Sequence, residues 1–430
     1  MKVSGTVRAP GDKSITHRAL LLGALGRGVS HVGGALTSLD ARSSARVLRL
    51  LGAEVSPLRE GDIVRIRGRG RFRAPDRTLH CGNSGTTTRL LLGLLAGHRF
   101  RATLTGDASL RRRPMRRVTV PLSQMGARFE EHGGDGLPLT VRGGSLRPLR
   151  YAMPVSSAQI KSALLLAGVV GEVDVDLREP SGRSRDHTER MLRVFGYPID
   201  ERDGWIELRQ GGRIAPFDLQ VPGDPSSAAF LLGAAVLAEA GELCIAGVGV
   251  NRTRTGFLRV LERMGATVRE EAGDTSFGEP VADLIAGPAA LRGTEVAAGE
   301  IPGLIDEVPM LAVLASRASG ETIFRDVGEL RVKESDRLGL VAANIRAVGG
   351  RAEVRGEDLH VEGVEPPPRG RVRSAGDHRI AMAFAVLGTL PGARVTIDDL
   401  ACAAVSYPGF PATLRRLGGR AGRGRGRSAV

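Results

Sequence analysis

The chain has little cysteine and no long uncharged apolar run. Its three cysteines, Cys81, Cys244 and Cys402, stand far apart and form no Cys-x-x-Cys pair, which argues against a disulfide framework or a zinc ribbon. No run approaches the ~18 apolar residues that a transmembrane helix needs. Asp12 and Lys13 precede the first apolar run, so we also expect no signal peptide. These absences predict a cytoplasmic protein with no membrane partner.

Aromatic residues are also scarce, at 3% of the 430 residues. They offer little surface on which single-stranded bases could stack. The formal net charge of +14 would suit nucleic acid, but basic charge can equally bind small phosphorylated substrates. Part of that charge lies in residues 418–430, where arginine alternates with glycine and where we expect disorder. We therefore expect small polyanionic substrates and no nucleic-acid partner.

Lysine is rare although the chain is strongly basic. Of the 61 lysine and arginine residues, 57 are arginine and only four are lysine, namely Lys2, Lys13, Lys161 and Lys333. Where arginine replaces lysine whenever chemistry allows, a retained internal lysine indicates a position that needs a compact ammonium instead of a planar guanidinium. We therefore treat the three internal lysines as candidate functional residues.

A repeated helix ending indicates internal symmetry. In each copy a helical segment that begins with Leu or Ile ends at a glycine and leads into a β-type stretch, as expected for a helix C-cap. The copies recur roughly every 70–85 residues, at Gly52, Gly126, Gly196, Gly265, Gly349 and Gly418. The sequence therefore predicts six related units.

A second signature alternates with the first. Small polar residues open six helices that are apolar almost all round and should be buried. These helices start near residues 13, 83, 156, 224, 306 and 377. Each unit thus holds two helices and short strands, and a Pro/Gly-rich turn at 221–225 divides the units three and three. The pattern predicts an α/β protein with two lobes.

The polar helix starts are candidate anion sites, because free backbone N–H groups and the helix dipole favour negative charge there. Polar residues at a helix start usually serve only as caps, so we take neighbouring cations as the sign of a start that could bind an anion. Cations accompany residues 11–18, the arginine-rich loop 105–117 and residues 331–337. Residue 7 is Val where a P-loop has its first glycine, so a phosphate or a carboxylate is expected and a nucleotide is not.

Eight motifs follow one another from residue 11 to residue 411: GDKSITHRA, GNSGTTTRLL, GDASLRRRPM, SSAQIKSALLLA, GLIDEVPMLAVLA, RVKESDRL, GDHRIAMAF and SYPGFP. Together they closely resemble the 5-enolpyruvylshikimate-3-phosphate synthase family. The resemblance implies a two-lobed inside-out α/β barrel of six βαβαββ units, three in each lobe. It places lobe I at 1–11 and 222–417, lobe II at 12–221 and a tail at 418–430.

The resemblance also implies a reaction. The 5-hydroxyl of shikimate 3-phosphate adds to C2 of phosphoenolpyruvate as C3 is protonated, and the adduct eliminates phosphate to leave an enolpyruvyl ether. Both substrates are polyanions, and the chemistry needs groups that give and take protons. A cytoplasmic monomer in chorismate and aromatic amino acid biosynthesis is implied, with no metal or organic cofactor.

Matched motif by motif, the resemblance implies three catalytic residues, Lys13, Asp306 and Glu334. Asp306 is the implied proton acceptor near the 5-hydroxyl, and Glu334 is the implied proton carrier at the methylene carbon. The implied shikimate 3-phosphate contacts are Lys13, Ser14, Arg18, Ser157, Ala158, Gln159, Ser184, Asp306 and Lys333. The implied phosphoenolpyruvate contacts are Lys13, Gly85, Arg113, Arg337 and Arg379. No role is carried over to Lys161.

Two positions depart from the family pattern. Many members have Asn three residues before Arg-Val-Lys, where this chain reads Gly328-Glu329-Leu330. Many also have Lys before the Ser/Thr-aromatic-Pro motif, where this chain has Val405. One phosphoenolpyruvate cation is therefore missing or replaced. Both departures, together with SSAQIKSALLLAG, resemble the family's second sequence subgroup, which is often less sensitive to glyphosate.

Three alternatives are weaker. The transferase that acts on UDP-N-acetylglucosamine shares the fold and the donor, but it typically has Lys-Asn in the first motif and a loop cysteine. Here the first motif has Lys13-Ser14, and the loop 106–117 has no cysteine. RNA 3′-phosphate cyclase would need its own histidine nucleophile and a shorter chain. A basic nucleic-acid-binding protein would show retention that falls steeply with salt.

Overall fold

The computed structural model describes residues 1–180 and 182–418, which form two compact units. The N-terminal unit comprises Gly11–Val221 and Thr275–Glu279, and the C-terminal unit comprises Met1–Pro10, Pro222–Asp274 and the chain from Pro280 onward. The lobe boundaries implied by the resemblance differ from these units at residue 11 and at residues 275–279. We keep those lobe boundaries as a proposal. The predicted Arg/Gly tail, apart from Gly418, lies outside the described residues.

The described residues form 22 strands and 13 α-helices. The strands are β1 (Gly5–Arg8), β2 (Arg27–Gly33), β3 (Glu54–Val55), β4 (Val64–Arg69), β5 (Leu79–His80), β6 (Arg101–Thr105), β7 (Arg128–Glu131), β8 (Leu139–Arg142), β9 (Leu149–Ala152), β10 (Val175–Arg178), β11 (Ile199–Arg202), β12 (Trp205–Leu208), β13 (Asp218–Gln220), β14 (Leu243–Gly249), β15 (Val268–Ser276), β16 (Glu279–Ala286), β17 (Glu295–Val296), β18 (Glu321–Phe324), β19 (Arg351–Arg355), β20 (Asp358–Glu362), β21 (Arg369–Val372) and β22 (Arg394–Ile397).

The helices are α1 (Lys13–Leu25), α2 (Leu39–Leu50), α3 (Gly85–Ala96), α4 (Ala108–Arg111), α5 (Arg116–Gln124), α6 (Ala158–Gly171), α7 (His187–Val194), α8 (Pro225–Val236), α9 (Gly256–Arg263), α10 (Val308–Ala315), α11 (Arg337–Ala347), α12 (His378–Leu387) and α13 (Phe410–Arg416). Short 3₁₀ segments lie at Ala298–Gly303, Gly328–Val332 and Ala401–Val405. No helix of the described residues is long and apolar enough to cross a membrane.

Three sheets of the N-terminal unit share one topology. Their strand orders are β13-β2-β4-β3, β5-β6-β8-β7 and β9-β10-β12-β11. In each sheet the first two strands are parallel and the other pairs are antiparallel. A strand, a helix, a second parallel strand, a second helix and an antiparallel pair therefore make up each repeat, with β13 supplying the first strand of the first repeat.

The first two repeats of the C-terminal unit have the same plan, whereas the third, unlike the predicted βαβαββ unit, has no antiparallel pair among the described residues. Its four-stranded sheets have the orders β1-β14-β16-β15 and β17-β18-β20-β19, and β21 pairs with β22 in a two-stranded sheet. The first two strands of each sheet are again parallel. Because β1 pairs with β14, the N-terminal strand joins the unit that holds the second half of the chain.

The first helix of each repeat is buried almost all round, as its sequence predicts. In the N-terminal unit α3 packs against α1 and α6, and in the C-terminal unit α8, α10 and α12 pack against one another. Every residue of α8, α10 and α12 is buried. These helices form the centre of each unit's apolar core, and polar residues at their starts are therefore held by well-packed elements.

The predicted helix ends are confirmed. All six predicted C-cap glycines have positive φ, between +78° at Gly196 and +112° at Gly126, a conformation that a Cβ disfavours. Side-chain caps are present at Asp12, Ser84, Asp224 and Asp377. At the other two buried helices, α6 and α10, the residue before the helix makes no side-chain cap, so the cap prediction is wrong there.

Candidate active site

Lys13 is the first predicted cation and begins α1. The Asp12 carboxylate caps the helix by accepting a hydrogen bond from the Ile15 N–H at 2.8 Å. The Lys13 Nζ lies 2.5 Å from Oδ2 of Asp40, in the first turn of α2, and both side chains are largely buried. The ammonium is therefore held at a helix start by a carboxylate that the sequence prediction did not include.

Arg18 lies one turn further along α1 and is 3% exposed. Its guanidinium donates to Thr188 Oγ1 at 2.7 Å, to Ser162 Oγ at 2.6 Å and to the Ser14 carbonyl at 3.0 Å. Burial lowers the pKa of Arg18 to about 10, and the carboxylate of Glu189 partly opposes this shift. Arg18 thus fixes the Ser14 backbone to α6 and α7 through a buried cation.

Gly85 and Arg113 are brought together at the start of α3. Ser84 caps this helix by accepting from the Thr87 N–H. A Cβ at Gly85 would lie 3.1 Å from Nη1 of Arg113, and Arg113 also donates to Asn83 Oδ1. Of the loop arginines, Arg113 is buried, whereas the exposed Arg116 forms a bidentate pair with Glu131. Arg113 is therefore the arginine of this loop that turns inward.

The start of α6 carries three predicted contacts, Ser157, Ala158 and Gln159. All three are partly exposed, and the Ser157 hydroxyl does not cap the helix. The Gln159 side chain accepts from Arg89 Nη1 at 2.5 Å and donates to Thr86 Oγ1 at 3.1 Å. Because Arg89 also donates to the Pro114 carbonyl at 3.0 Å, it connects Gln159 to the Arg113 loop.

Ser184 lies in the loop between β10 and α7. Its side chain is 4% exposed, and its Oγ has no hydrogen-bond partner among the described residues. Its backbone is held on both sides, since the N–H donates to Glu179 at 3.2 Å and the carbonyl accepts from Lys161 Nζ at 3.1 Å. A buried hydroxyl without a partner is costly, and a bound anion or hydroxyl would relieve that cost.

Arg337 is the centre of the C-terminal unit's charged cluster and is fully buried. Its Nε donates to Asp377 Oδ2 at 2.9 Å, its Nη1 lies 3.3 Å from Asp306 Oδ1, and its Nη2 contacts Glu334. Burial lowers the pKa of Arg337, but Asp377, Glu334 and Asp306 outweigh it, so the net shift is upward. The guanidinium stays charged within a ring of three carboxylates.

Asp306 also contacts the second predicted guanidinium. Its Oδ2 lies 3.4 Å from Arg379 Nη2, and its carbonyl accepts from Arg379 Nη1 at 3.1 Å. The neighbouring Glu307 is buried, accepts from Ser226 Oγ and lies 3.8 Å from Arg379 Nη1. Arg379 itself is 7% exposed, so the two arginines and Asp306 form one connected group.

Lys333 and Glu334 follow the 3₁₀ segment Gly328–Val332, and both are partly exposed. Burial lowers the pKa of the Lys333 ammonium, although Asp306 and Glu329 oppose the shift. A lysine with a lowered pKa is a better proton donor and acceptor near neutral pH.

The structure brings Gly85 to Arg113 and Ser14 to Arg18. It also brings Asp306 to Arg337 and Arg379, and Glu334 to Arg337. Lys13, Ser14, Arg18, Gly85, Arg113, Ser157, Ala158, Gln159 and Ser184 lie in the N-terminal unit, and Asp306, Lys333, Glu334, Arg337 and Arg379 lie in the C-terminal unit. The site prediction missed the residues that hold them, namely Asp40, Arg89, Lys161, Glu307 and Asp377. Lys161 carried a sequence signal in its retention among 57 arginines, and Arg89, Glu307 and Asp377 lie within the matched motifs, whereas Asp40 lies outside them.

A model of the EPSP synthase (3-phosphoshikimate 1-carboxyvinyltransferase) family matches residues 1–414. The chain belongs to the EPSP synthase family. The relatives named 3-phosphoshikimate 1-carboxyvinyltransferase include one from Thermus thermophilus, which is 49% identical over 416 residues with 96% of each chain covered. Another, from Desulfitobacterium hafniense, is 45% identical over 412 residues, covering 95% of this chain and 94% of the relative.

Solved structures agree with the family. The EPSP synthase of Acinetobacter baumannii superposes with a TM-score of 0.83 at 37% identity, covering 97% of this chain and 96% of that one. The enolpyruvyl transferase NikO of Streptomyces tendae gives a TM-score of 0.78 at 20% identity with the same coverage, which supports the fold alone. The predicted family, enzyme class and two-lobed α/β fold are confirmed, and the UDP-N-acetylglucosamine alternative is not favoured.

Proposed function

We propose that this EPSP synthase family member transfers the enolpyruvyl group of phosphoenolpyruvate to the 5-hydroxyl of shikimate 3-phosphate and releases phosphate. The observation that carries the proposal is the contact of the Asp306 carboxylate with both Arg337 and Arg379, at 3.3 and 3.4 Å. Two guanidinium groups can bind the carboxylate of phosphoenolpyruvate bidentately, and the carboxylate beside them can accept the proton of the attacking hydroxyl.

Shikimate 3-phosphate is proposed to bind residues of the N-terminal unit through its phosphate. The proposed donors are the ammonium of Lys13, the guanidinium of Arg18, the hydroxyls of Ser14, Ser157 and Ser184, and the side-chain amide of Gln159. Ala158, the first residue of α6, is proposed to contribute through its backbone. The buried Ser184 hydroxyl, which has no partner among the described residues, supports this assignment, because a phosphate oxygen would accept its hydrogen bond. Asp306 and Lys333 of the C-terminal unit are proposed to contact the ring hydroxyls.

Phosphoenolpyruvate is proposed to bind Lys13, Gly85, Arg113, Arg337 and Arg379. Arg337 and Arg379 now hold protein carboxylates, so the substrate carboxylate has to replace some of these contacts. When it does, the Asp306 and Glu334 carboxylates give up contacts with these arginines and can exchange protons with the substrates.

The proton steps follow from these positions. Asp306 accepts the proton of the 5-hydroxyl as the oxygen attacks C2 of phosphoenolpyruvate, and C3 receives a proton from the Glu334 side. The tetrahedral adduct then loses a C3 proton to Glu334 as the C2–O bond to phosphate breaks, with Lys13 stabilising the departing charge. The protons balance, because the proton that Glu334 gives to C3 is returned to it and the proton that Asp306 takes from the 5-hydroxyl leaves with the phosphate.

Phosphate release provides the test. The enzyme should release phosphate from phosphoenolpyruvate with shikimate 3-phosphate as the acceptor and should form an enolpyruvyl ether detectable by mass spectrometry. UDP-N-acetylglucosamine serves as the control acceptor and should give no release above background. Release with the nucleotide sugar alone would overturn the proposed acceptor.

We further propose that the enzyme acts as a cytoplasmic monomer on these small molecules, without nucleic acid and without a metal or organic cofactor. The family membership and the low aromatic content support this. Sedimentation at micromolar concentration should give one species near the 45.4 kDa of the chain. A dimer mass would contradict the monomer.

A further inference from the structure

Lys161 is the retained internal lysine that the proposed reaction does not use. It lies on α6 with 1% of its side chain exposed. Its Nζ contacts Glu179 Oε2 at 3.0 Å, Glu189 Oε1 at 2.9 Å and the Ser184 carbonyl at 3.1 Å. An ammonium has three N–H donors, and each of them has one acceptor here.

This geometry explains why the position is lysine. A guanidinium is larger and planar and holds its donors in a rigid fork, whereas an ammonium can direct three donors around one point. The three acceptors around Lys161 come from three places in the chain, the end of β10, the following loop and α7. In a chain that uses arginine at 57 of 61 basic positions, this retention indicates a geometric requirement.

The surrounding charges are buried. Burial alone would lower the pKa of Lys161, but Glu189 and Glu179 outweigh burial and raise it. Both glutamate side chains are at most 6% exposed. The Arg18 guanidinium is held by Ser162 and Thr188, residues that lie next to Lys161 and Glu189 in the chain. Such a cluster is rigid because each charge depends on the others.

The cluster connects two of the proposed substrate contacts. The Lys161 backbone N–H donates to the Ser157 carbonyl at 3.0 Å, and the Lys161 side chain holds the Ser184 carbonyl. Glu179 accepts from the Ser184 N–H at 3.2 Å, so both polar backbone groups of Ser184 are fixed by the same ion pair. The Ser184 hydroxyl is left without a partner among the described residues.

We propose that Lys161 is a positioning residue that aims the Ser184 hydroxyl at the phosphate of shikimate 3-phosphate. The proposal rests on the proposed function. Lys161 does not touch the substrate; it fixes the backbone on both sides of the hydroxyl that does. Loss of this alignment should weaken shikimate 3-phosphate binding and leave the phosphoenolpyruvate contacts, which lie on other elements, unchanged.

The main experiment uses Lys161→Arg, which keeps the charge and changes the geometry. Calorimetric titration of the full-length variant with shikimate 3-phosphate should give a Kd raised by roughly 10-fold or more, as expected for a lost hydrogen bond to a charged group. The KM for phosphoenolpyruvate, measured at saturating shikimate 3-phosphate, should stay within about 2-fold of the wild-type value. A shikimate 3-phosphate Kd that is unchanged would overturn the proposal.

Leu166→Ala is the control for general loosening of α6. Leu166 is a buried core residue of the same helix, and its truncation lowers the melting temperature without touching the ion pair. Its Kd for shikimate 3-phosphate should stay near wild type. If Leu166→Ala raised this Kd as much as Lys161→Arg does at an equal loss of melting temperature, the role would be structural and the proposal wrong.

A double-mutant cycle with Ser184→Ala tests whether Lys161 acts through Ser184. If it does, the double variant should bind shikimate 3-phosphate about as weakly as the weaker single variant, because both changes remove one interaction. Additive losses would contradict the proposal.

A triple variant covers the case in which Lys161→Arg does not fold. Lys161→Met, Glu179→Gln and Glu189→Gln together remove the buried charges, so this variant should fold but bind shikimate 3-phosphate weakly. Wild-type affinity in the triple variant would contradict the proposal.

The wild type separates the two proposals. Shikimate 3-phosphate binding and phosphate release by the wild type, combined with normal binding by Lys161→Arg, would reject the role of Lys161 and leave the function intact. A wild type that neither binds shikimate 3-phosphate nor releases phosphate would reject the function and, with it, the role of Lys161.

Discussion

Gly85 faces Arg113 so closely that a Cβ added at Gly85 would lie 3.1 Å from Arg113 Nη1. Because glycine has no Cβ, the Arg113 guanidinium can lie beside the start of α3 without close contact to a side chain at residue 85. A methyl group would move the flexible end of the arginine by a few tenths of an ångström and narrow the space for an anion.

Gly85→Ala should therefore raise the ratio of glyphosate Ki to phosphoenolpyruvate KM. Glyphosate is the bulkier anion, and a tight pocket discriminates by about 1–3 kcal/mol per methylene-sized group. Gly144→Ala is the matched control, because a Cβ there meets nothing within 4 Å, and it should leave the ratio unchanged. A ratio that stays the same or falls in Gly85→Ala would remove Gly85 from the site.

Asp306→Asn and Glu334→Gln should reduce mainly kcat, by roughly 10²–10⁴-fold, because each change keeps size and removes proton transfer. Steady-state kinetics with both substrates would measure this. Glu353→Gln, on the exposed face of β19, is the control and should have wild-type kinetics. A variant that raised only KM would point to a binding role for that carboxylate.

Arg337→Gln should cost about 3–5 kcal/mol of unfolding free energy, because it leaves Asp377 and its neighbours buried without their cation. Arg351→Gln removes an exposed pair with Glu362 at 2.8 Å and should cost at most about 1 kcal/mol. Denaturant unfolding of both variants measures the difference. Equal losses would show that the buried ring of carboxylates does not depend on Arg337.

His17 should make the enzyme less stable as the pH falls. Burial, together with Lys13 and Arg18, holds the pKa of His17 well below its ordinary value, and its Nδ1 lies 2.7 Å from Ser44 Oγ. Below about pH 6.5 the imidazole of His17 binds a proton in the unfolded chain but not in the folded chain. The free energy of unfolding therefore falls by up to about 1.4 kcal/mol per pH unit. Above that pH this contribution is constant.

The measurement is the drop in melting temperature between neutral pH and about pH 5.5, a window just below the ordinary histidine pKa. His17→Gln should show a smaller drop than the wild type, whatever its stability at neutral pH. Burial also lowers the pKa of His98, so His98→Gln should act in the same direction. A drop identical in wild type and His17→Gln would assign the pH dependence to other groups.

Local features of the fold could be predicted from the sequence. The six helix endings, with positive φ at glycines such as Gly126 and Gly196, follow from a residue type that tolerates that conformation. The buried helices follow from apolar side chains all round them. The eight motifs were sufficient for the family, because each places its polar residues within a few positions of a helix start.

The partners of the predicted residues could not be predicted, because they come from distant parts of the chain. Arg337 could be paired with Glu334, three residues away, but Asp306 and Asp377 lie 31 and 40 residues away. Lys13 meets Asp40, and Lys161 meets Glu179 and Glu189, only because their helices and loops pack together.

The sequence by itself determined the repeated units, the glycine helix endings, the family and the identity of the polar residues, since these depend on local backbone preference and on short motifs. The tertiary structure alone decided that β1 joins β14, that Gly85 faces Arg113 and that Lys161 is enclosed by two carboxylates and a carbonyl. Strand pairing and buried ion pairs depend on which distant segments exclude water from one another, and no local pattern encodes that choice.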